Sequence, residues 1–280
     1  MNYNFYKFSP SKNMTVLIPD EVDRSEHANL ASKIIDYGSV YAEQLGYIEN
    51  AELEENKAKG LMRLQMMGGE FCGNATSCAA SYLRHIEHPS VENKGQYDEV
   101  SLEVSGAKNL LTCRVEKLSD TKYKTRVSMP IPVEFLVEEF NYKGSEVEVN
   151  TVVFDGITHF IVDQTKVSDI TDFYVFLKDA IADRHYDAFG IMFFDYETEF
   201  MTPVVYVAST NTTFWEMSCA SGTTALVANM SYRAEKEISK TVKQPGGALT
   251  ITTFIKDGLF EEIHMEGVVD LVAKGIVFVE

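Results

Sequence analysis

Alternating apolar and polar positions along the chain predict short strands in two similar series, each interrupted by helices. In the first series, residues 5–18 read as strand, turn and strand, and residues 26–37 show helical periodicity. In the second series, residues 147–162 repeat the strand pattern and residues 167–181 repeat the helical one. The same order of elements in both halves predicts an internal repeat.

Each series then reaches a cysteine that precedes small residues and a helix. Asn13 lies 59 residues before Cys72, and His159 lies 60 residues before Cys219, so the repeat also keeps its spacing. After Cys72, apolar residues recur on one helical face. These are Ala75, Cys78, Ala79, Tyr82, Leu83 and Ile86.

The repeat predicts an α+β fold made of two similar domains, each a mixed sheet around a central helix and related by a pseudo-twofold axis. We expect the domains to cover residues 1–140 and 141–280, with the boundary in the polar stretch 141–145. The last segment, 267–280, is predicted to add a strand that pairs with either domain. The active site is expected in the cleft between the domains.

Composition narrows the class of protein. The chain has 280 residues and a net charge of −17, which argues against nucleic acid or an anionic membrane as partner. The N-terminus has no signal-peptide pattern and no apolar run is long enough to span a bilayer. Four cysteines do not form a disulfide framework or a close-paired zinc motif, so we expect reduced thiols, no metal and a cytoplasmic location. The oligomeric state stays open, and a homodimer is one possibility.

Cys72 and Cys219 are predicted to act as two acid/base groups. A thiol at a helix N-terminus lies near unpaired N–H groups and the positive end of the helix dipole, which favour the thiolate and bring its pKa towards neutrality. The same N–H groups bind anions. Two such helix ends can hold an α-carboxylate while one sulfur removes the α-proton and the other returns a proton to the opposite face. This chemistry inverts the α-carbon without metal or cofactor.

The two motifs resemble those of a known group of isomerases. Cys-Gly-Asn-Ala-Thr at 72–76 and Cys-Ala-Ser-Gly-Thr at 219–223 are similar to the active-site motifs of the diaminopimelate epimerase-like superfamily, which contains cofactor-independent racemases and epimerases of two similar domains. A closer resemblance is to the histidine racemases that supply D-histidine for staphylopine-type metallophores. It rests on residues 70–76, Trp215-Glu216, Ser218-Cys219 and 244–247.

The resemblance also implies which residues contact the substrate. In addition to the catalytic Cys72 and Cys219, it assigns substrate contacts to Asn13, Gln44, Gly73, Asn74, Glu216, Ala220 and Ser221. Glu216 has two readings, contact with the substrate or tuning of Cys219. Asn13 is alternatively a turn residue, and His159 and Trp215 are read first as structural residues. Cys78 and Cys113 are predicted to be core residues.

Departures from the superfamily pattern favour a substrate with one carboxylate. Where diaminopimelate epimerases hold the distal end of their substrate, this chain has Ile157, Ala188, Thr210 and Asn211, and no arginine lies between positions 184 and 233. A second carboxylate would lack its bidentate partner. Ala220 replaces the usual glycine.

We therefore predict a two-base racemase that interconverts L- and D-histidine without a cofactor. One alternative is a racemase or epimerase of another amino acid, such as proline, diaminopimelate or a basic amino acid. The other is a non-catalytic amino acid-binding or thiol-redox protein.

Overall fold

The computed structural model describes residues 1–208 and 211–280 and divides them into two compact units. Unit 1 contains Met1–Ser128 and His264–Glu280, and unit 2 contains Met129–Ile263. The first unit ends at Ser128, before the expected boundary at 140. The polar stretch 141–145 lies instead at the turn of a hairpin whose two strands, Glu134–Tyr142 and Ser145–Phe154, pair with each other in unit 2.

Unit 1 is a mixed sheet with three α-helices. Its helices are α1 (His27–Ile34), α2 (Glu54–Ala58) and α3 (Gly73–His85), and a 3-10 turn covers Arg24–Glu26. Its strands are β1 (Asn2–Pro10), β2 (Thr15–Ile18), β3 (Gln44–Asn50), β4 (Met62–Met66), β5 (Val91–Asn93), β6 (Asp98–Val104), β7 (Leu111–Lys117) and β8 (Lys122–Ser128).

Unit 2 has the same kinds of element in nearly the same order. Its helices are α4 (Ile170–Ala180) and α5 (Ala220–Ala234), with a 3-10 turn at Gln164–Lys166. Its strands are β9 (Glu134–Tyr142), β10 (Ser145–Phe154), β11 (Ile157–Asp163), β12 (Ala188–Asp195), β13 (Phe200–Val207), β14 (Thr212–Trp215), β15 (Ser239–Gln244) and β16 (Gly247–Lys256). Strand β17 (Leu259–Phe278) begins in unit 2 and continues into unit 1.

Strand pairing repeats between the units. In unit 1, β2 runs parallel to β3, β3 antiparallel to β4, and β4 parallel to β6. In unit 2, β11 runs parallel to β12, β12 antiparallel to β13, and β13 parallel to β15. A parallel neighbour needs a crossover connection, and α1, α3, α4 and α5 lie within these crossovers. These three pairings recur in both halves of the chain, whereas the additional strand pairs with β6 in unit 1 (β5) and with β13 in unit 2 (β14).

The last strand extends the sheet of unit 1. From residue 264 onward, β17 pairs antiparallel with β8 on one side and with β1 on the other. Of the two pairings that the sequence allowed, the structure has the one with the N-terminal unit.

Helix α3 is the central helix of unit 1, and it is buried on all faces, not only along the predicted apolar stripe. All residues from Gly73 to Leu83 are buried, including Cys78. Ile86 was expected on the stripe but is 39% exposed, because the helix ends at His85 and Ile86 only caps it. In unit 2, α5 is likewise buried over most of its length.

Candidate active site

Cys72 is the N-cap residue of α3. Its backbone is extended, with φ −135° and ψ 111°, and its Sγ accepts a hydrogen bond from the Ala75 N–H at 3.4 Å. The Thr76 hydroxyl and N–H both donate to the Cys72 carbonyl, at 2.8 and 2.9 Å. The first N–H groups of a helix have no partner inside it, so a side chain that accepts from them fixes where the helix begins. The sulfur of Cys72 is therefore held at the helix end.

The loop before Cys72 is fixed by the turn after β6. Ser105 donates its hydroxyl to the Glu70 carbonyl at 2.9 Å and accepts from the Met66 N–H at 2.9 Å. Gly106 has φ +73°, and a Cβ there would lie 2.3 Å from the Phe71 nitrogen. Only glycine allows this approach. The backbone that delivers Cys72 is thus positioned by a second part of the chain.

A network of amide side chains surrounds Cys72. Its S–H donates to Gln44 Oε1 at 3.0 Å, and Gln44 Nε2 donates to Asn13 Oδ1 at 2.6 Å and to Thr15 Oγ1 at 2.8 Å. Asn74 Nδ2 also donates to Asn13 Oδ1, at 3.0 Å. The structure therefore brings together the predicted residues Asn13, Gln44 and Asn74 beside the thiol. Gly73, the first residue of α3, lies in the same buried turn.

Glu43 adds a carboxyl group that the sequence analysis missed. It accepts a hydrogen bond from Asn13 Nδ2. Desolvation raises the pKa of the Glu43 carboxyl, and the hydrogen bond from Asn13 opposes that rise. Its position next to Gln44 was the available signal, but an acidic residue at a strand start reads equally well as solvated surface.

Cys219 caps α5 in the same way as Cys72 caps α3. Its backbone has φ −116° and ψ 108°, and its Sγ accepts from the Gly222 N–H at 3.4 Å. Thr223 donates its hydroxyl and N–H to the Cys219 carbonyl, at 2.5 and 3.0 Å. A threonine four residues after each cysteine thus serves the same purpose in both units. This signal is visible in both sequence motifs.

Gln244 fixes the backbone around Cys219. Its Oε1 accepts from the Cys219 N–H at 2.8 Å, and its Nε2 donates to Thr223 Oγ1 at 3.0 Å. The Gly246 N–H donates to the Met217 carbonyl at 2.7 Å. The segment 244–247 carried part of the family resemblance, and its structural purpose is to brace the second cysteine turn.

The second thiol is not shifted towards neutrality as its helix end predicted. Burial raises the pKa of Cys219 well above its usual range, and the charge of Glu216 and a hydrogen bond with Glu216 raise it further. The Gly222 N–H and the Ser221 hydroxyl act in the opposite direction but are outweighed. The prediction was wrong for Cys219 because it counted the helix dipole and omitted burial and the neighbouring carboxylate.

The predicted contact residues of the second motif surround this thiol. Ala220 is the buried first residue of α5, and the Ser221 hydroxyl lies 3.6 Å from Cys219 Sγ. Glu216 is half-buried, and its carboxylate faces the sulfur. The carboxylate lies where it can tune Cys219, and contact of Glu216 with the substrate stays a prediction.

His159 and Trp215 lie near the motif as packing residues. His159 is fully buried, and within the described parts of the chain neither ring nitrogen has a hydrogen-bond partner. Burial lowers the pKa of His159 to about 3, so the ring is neutral. Trp215 stacks on Phe193 at 6.4 Å but remains 43% exposed.

The residues that replace the distal diaminopimelate contacts lie at strand ends. Ile157 and Ala188 begin β11 and β12, and Asn211 accepts a hydrogen bond from the Tyr206 hydroxyl at 2.9 Å. Thr210 lies outside the described residues.

Cys78 and Cys113 are buried core thiols, as predicted. Burial raises the pKa of Cys113 to about 12 and that of Cys78 well above its usual range. Within residues 1–208 and 211–280, no group of three or more His, Cys, Asp or Glu side chains is arranged to hold a metal ion. The helices described there are all too short or too polar to cross a bilayer.

Solved structures share this fold at low sequence identity. A hydroxyproline epimerase from Agrobacterium vitis, with bound trans-4-hydroxy-L-proline, matches with a TM-score of 0.70 at 11% identity, over 99% of this chain and 92% of that one. A methylitaconate-delta-isomerase matches with a TM-score of 0.62 at 11% identity, over 100% and 96% of the two chains. The α+β mixed-sheet architecture is therefore that of the racemase and epimerase folds.

Sequence comparison identifies the family. The model described as "Histidine racemase CntK N-terminal domain" matches residues 2–278. A histidine racemase from Staphylococcus aureus is 29% identical, over 99% of this chain and 97% of that protein. A histidine racemase from Fusobacterium nucleatum is 32% identical, over 99% and 97%. The chain belongs to the histidine racemase family.

Proposed function

We propose that the protein interconverts L- and D-histidine by a two-base mechanism in which Cys72 and Cys219 exchange an α-proton without a cofactor. The observation that carries the proposal is the shared geometry of the two cysteine turns. Each sulfur accepts from the N–H three residues later at 3.4 Å, and each cysteine carbonyl accepts from the threonine four residues later. Histidine as substrate rests on the named relatives.

The helix ends provide the carboxylate site in this proposal. The N–H groups of Gly73 and Asn74 begin α3, and those of Ala220 and Ser221 begin α5. Groups of this kind bind anions. Their positive partial charges stabilise the negative charge that builds on the carboxylate as the α-proton leaves. One preorganised donor contributes about 3–4 kcal/mol to such a transition state. For this to work, both helix ends must face one substrate, so we propose the pseudo-twofold relation and the inter-domain cleft together with the mechanism.

The neighbours of the two sulfurs assign different resting states to them. The Cys72 S–H donates to a neutral amide oxygen, whereas Cys219 lies against the Glu216 carboxylate. A carboxylate beside a buried thiol opposes ionisation, so Cys219 starts as the acid. After its S–H proton has been released to solvent, Cys72 acts as the base in the first direction, and the two exchange roles after each turnover. The histidine imidazole plays no acid/base part in this scheme.

A substrate with one carboxylate fits the cations of unit 2. Of the two arginines that flank the second cysteine motif, Arg184 forms a bidentate pair with Glu138 at 2.8 Å, and Arg233 lies 14 residues beyond Cys219, about 21 Å along α5. Neither is held ready for the distal carboxylate of diaminopimelate. We also propose a cytoplasmic location, because both thiols must stay reduced for proton transfer. The proposed proton transfers do not depend on the oligomeric state.

Isotope exchange tests the proposal directly. L-histidine incubated with the protein in deuterated water should give D-histidine that carries deuterium at the α-carbon. Proton NMR measures the loss of the α-proton, and chiral separation measures the D-histidine. Cys72→Ala and Cys219→Ala should each abolish inversion, while Cys113→Ala, which removes a buried thiol outside both turns, should retain it. Inversion that survives in either catalytic-cysteine variant contradicts the two-base scheme. Exchange with another amino acid but not with histidine contradicts the substrate and leaves the mechanism standing.

A further inference from the structure

A cavity lined by several charged side chains lies in unit 2, away from the cysteine turn. Its volume is about 710 Å³, within the range of small-molecule sites. Its floor is the last two turns of α5, from Asn229 to Ala234, and its walls come from β10, the 3-10 turn at Gln164–Lys166 and the chain after α5. Asn229 lies ten residues beyond Cys219, or about 15 Å along the helix axis. The cavity is therefore separate from the cysteine at the start of α5.

Three cations line this cavity in a chain of strongly negative charge. They are Lys166, Arg233 and Lys236, facing the carboxylates Glu148 and Asp163. Within the described part of the chain, neither lysine makes an ion pair, and the Asp163 carboxylate is already used by the Thr165 N–H and hydroxyl, at 3.0 and 2.7 Å. The net charge of the side chains that line the cavity is therefore positive, although the net charge of the whole chain is −17.

Arg233 is held so that part of its guanidinium stays available. Its Nη1 donates to Glu148 Oε1 at 2.6 Å and to Asn150 Oδ1 at 2.8 Å. Asn150 in turn donates to Glu148 Oε1 at 3.1 Å, which braces both acceptors. These bonds occupy one nitrogen and fix the plane of the group. The remaining N–H groups form the fork that binds an oxyanion.

A buried amide in the cavity points to a ligand independently of the charges. Asn229 is only 4% exposed and lines the cavity. No side-chain hydrogen bond of Asn229 occurs within the described residues, although buried amides are nearly always bonded. A bound molecule with polar groups would satisfy it.

From these observations we infer that the cavity is a second ligand site, which takes a small oxyanion with more than one negative charge, either a polycarboxylate or a phosphate compound. Arg233 binds one acid group through its fork, and Lys166 and Lys236 neutralise the other. Asn229 bonds to a polar atom near the helix. The site does not depend on the proposed racemase reaction, since none of its residues belongs to either cysteine turn.

Thermal unfolding with citrate and with pyrophosphate tests this inference and separates the two ligand chemistries. Each probe should raise the melting temperature of the full chain more than sodium chloride of equal ionic strength, because a ligand that binds only the folded state stabilises it. The larger and saturable shift identifies the chemical class. The double variant Lys166→Gln/Lys236→Gln changes only exposed side chains and should weaken binding about tenfold or more, as expected for lost charge-assisted hydrogen bonds. Arg233→Gln should do the same if it folds.

Lys256→Gln is the matched control, since Lys256 is exposed, belongs to the same unit and does not line the cavity. It should keep the full response. The inference is overturned if neither probe exceeds the chloride control, or if the lysine double variant responds like the wild type. An equal loss in Lys256→Gln would show a general charge effect and would overturn it too.

Discussion

Gly222→Ala is the substitution that most directly tests how unit 2 positions its thiol. The added Cβ would lie 2.1 Å from Met192 Sδ, 2.8 Å from Met192 Cε and 3.2 Å from Cys219 Sγ. Carbon contacts are optimal near 3.5–4.0 Å, so the methionine sulfur must retreat by roughly 1.5 Å. Met192 is fully buried in β12, so this movement disturbs the core.

Two opposing effects decide the size of the loss. Alanine stabilises a helix by about 0.5–1 kcal/mol relative to glycine, whereas overpacking a buried site costs about 1–3 kcal/mol. We expect a net loss of about 1–2 kcal/mol in the free energy of unfolding. Because the new methyl group also crowds the Cys219 sulfur, histidine exchange should fall by about tenfold to a hundredfold, in line with the effect of misplacing a reacting group by up to about 1 Å.

A double-mutant cycle with Met192→Ala separates crowding from other causes. Met192→Ala alone leaves a cavity and should cost about 2–5 kcal/mol. In the double variant the new methyl group occupies part of that cavity, so the combined loss should be smaller than the sum by about 1–3 kcal/mol. Urea unfolding gives the free energies, and deuterium exchange gives the activity.

Gly275→Ala serves as the control, because its Cβ meets only the Phe5 ring edge, at 3.3 Å in unit 1. Its stability should change by less than about 1 kcal/mol and its activity should not change. The crowding argument is refuted if the loss of unfolding free energy in the double variant equals the sum of the Gly222→Ala and Met192→Ala losses to within about 0.5 kcal/mol.

Four further substitutions test the roles of individual hydrogen bonds and charges. Thr76→Val should lower the free energy of unfolding by about 1 kcal/mol, and Thr223→Val by about 2–3 kcal/mol, because the latter also leaves the Gln244 amide without its acceptor. His159 titrates near pH 6.5 when unfolded and near 3 when folded, so the unfolded state binds the extra proton as the pH falls and stability is lost. Between pH 7 and 5 the wild type should lose about 2 kcal/mol more than His159→Gln. Glu216→Gln should lower the pKa of Cys219, so that iodoacetamide alkylates this thiol at lower pH in a Cys72→Ser background.

Each of these experiments has an outcome that contradicts its reasoning. Equal losses for the two threonine variants would mean that Gln244 finds another acceptor. Parallel pH profiles of wild type and His159→Gln would mean that the ring is protonated in the folded state. An unchanged alkylation profile in Glu216→Gln would remove the carboxylate as a cause of the high pKa of Cys219.

The sequence predicted the order of strands, helices and cysteine turns in both halves, because local patterns carry the repeat. Both cysteine turns and the burial of the apolar residues of α3 follow from small residues and apolar spacing, whereas the pairing of the strands was not predicted. The boundary at residue 140 came from polar composition alone. Polar residues mark any exposed turn, and this one joins two strands of the same unit.

The candidate site was predictable where residues lie beside a motif and less so where contacts are distant in sequence. Cys72, Asn74, Cys219 and Ser221 are local to their turns. The pairing of Cys72 with Gln44 spans 28 residues, and that of Cys219 with Gln244 spans 25. Contacts between residues so far apart in the sequence are fixed by how the strands and helices pack. The periodicity of apolar residues does not specify that packing. The helix dipole was visible in sequence, but the burial that outweighs it at Cys219 was not.

The two thiols share a backbone geometry and differ in their neighbours, and this combination suits a reaction that must run both ways. In the proposed mechanism the similar caps place each sulfur at a helix end, so the local backbone favours neither direction. A two-base enzyme also needs one thiol and one thiolate at the start of each turnover. Repulsion between two close thiolates keeps both from ionising, and identical surroundings would leave the two sulfurs equivalent. The amide of Gln44 at one sulfur and the carboxylate of Glu216 at the other break that equivalence. Replacing Gln44 with glutamate should therefore disfavour the Cys72 thiolate as well and slow exchange in both directions, more than Gln44→Leu would by loss of the hydrogen bond alone. Faster exchange in Gln44→Glu than in Gln44→Leu would show that the difference between the two thiols has another origin.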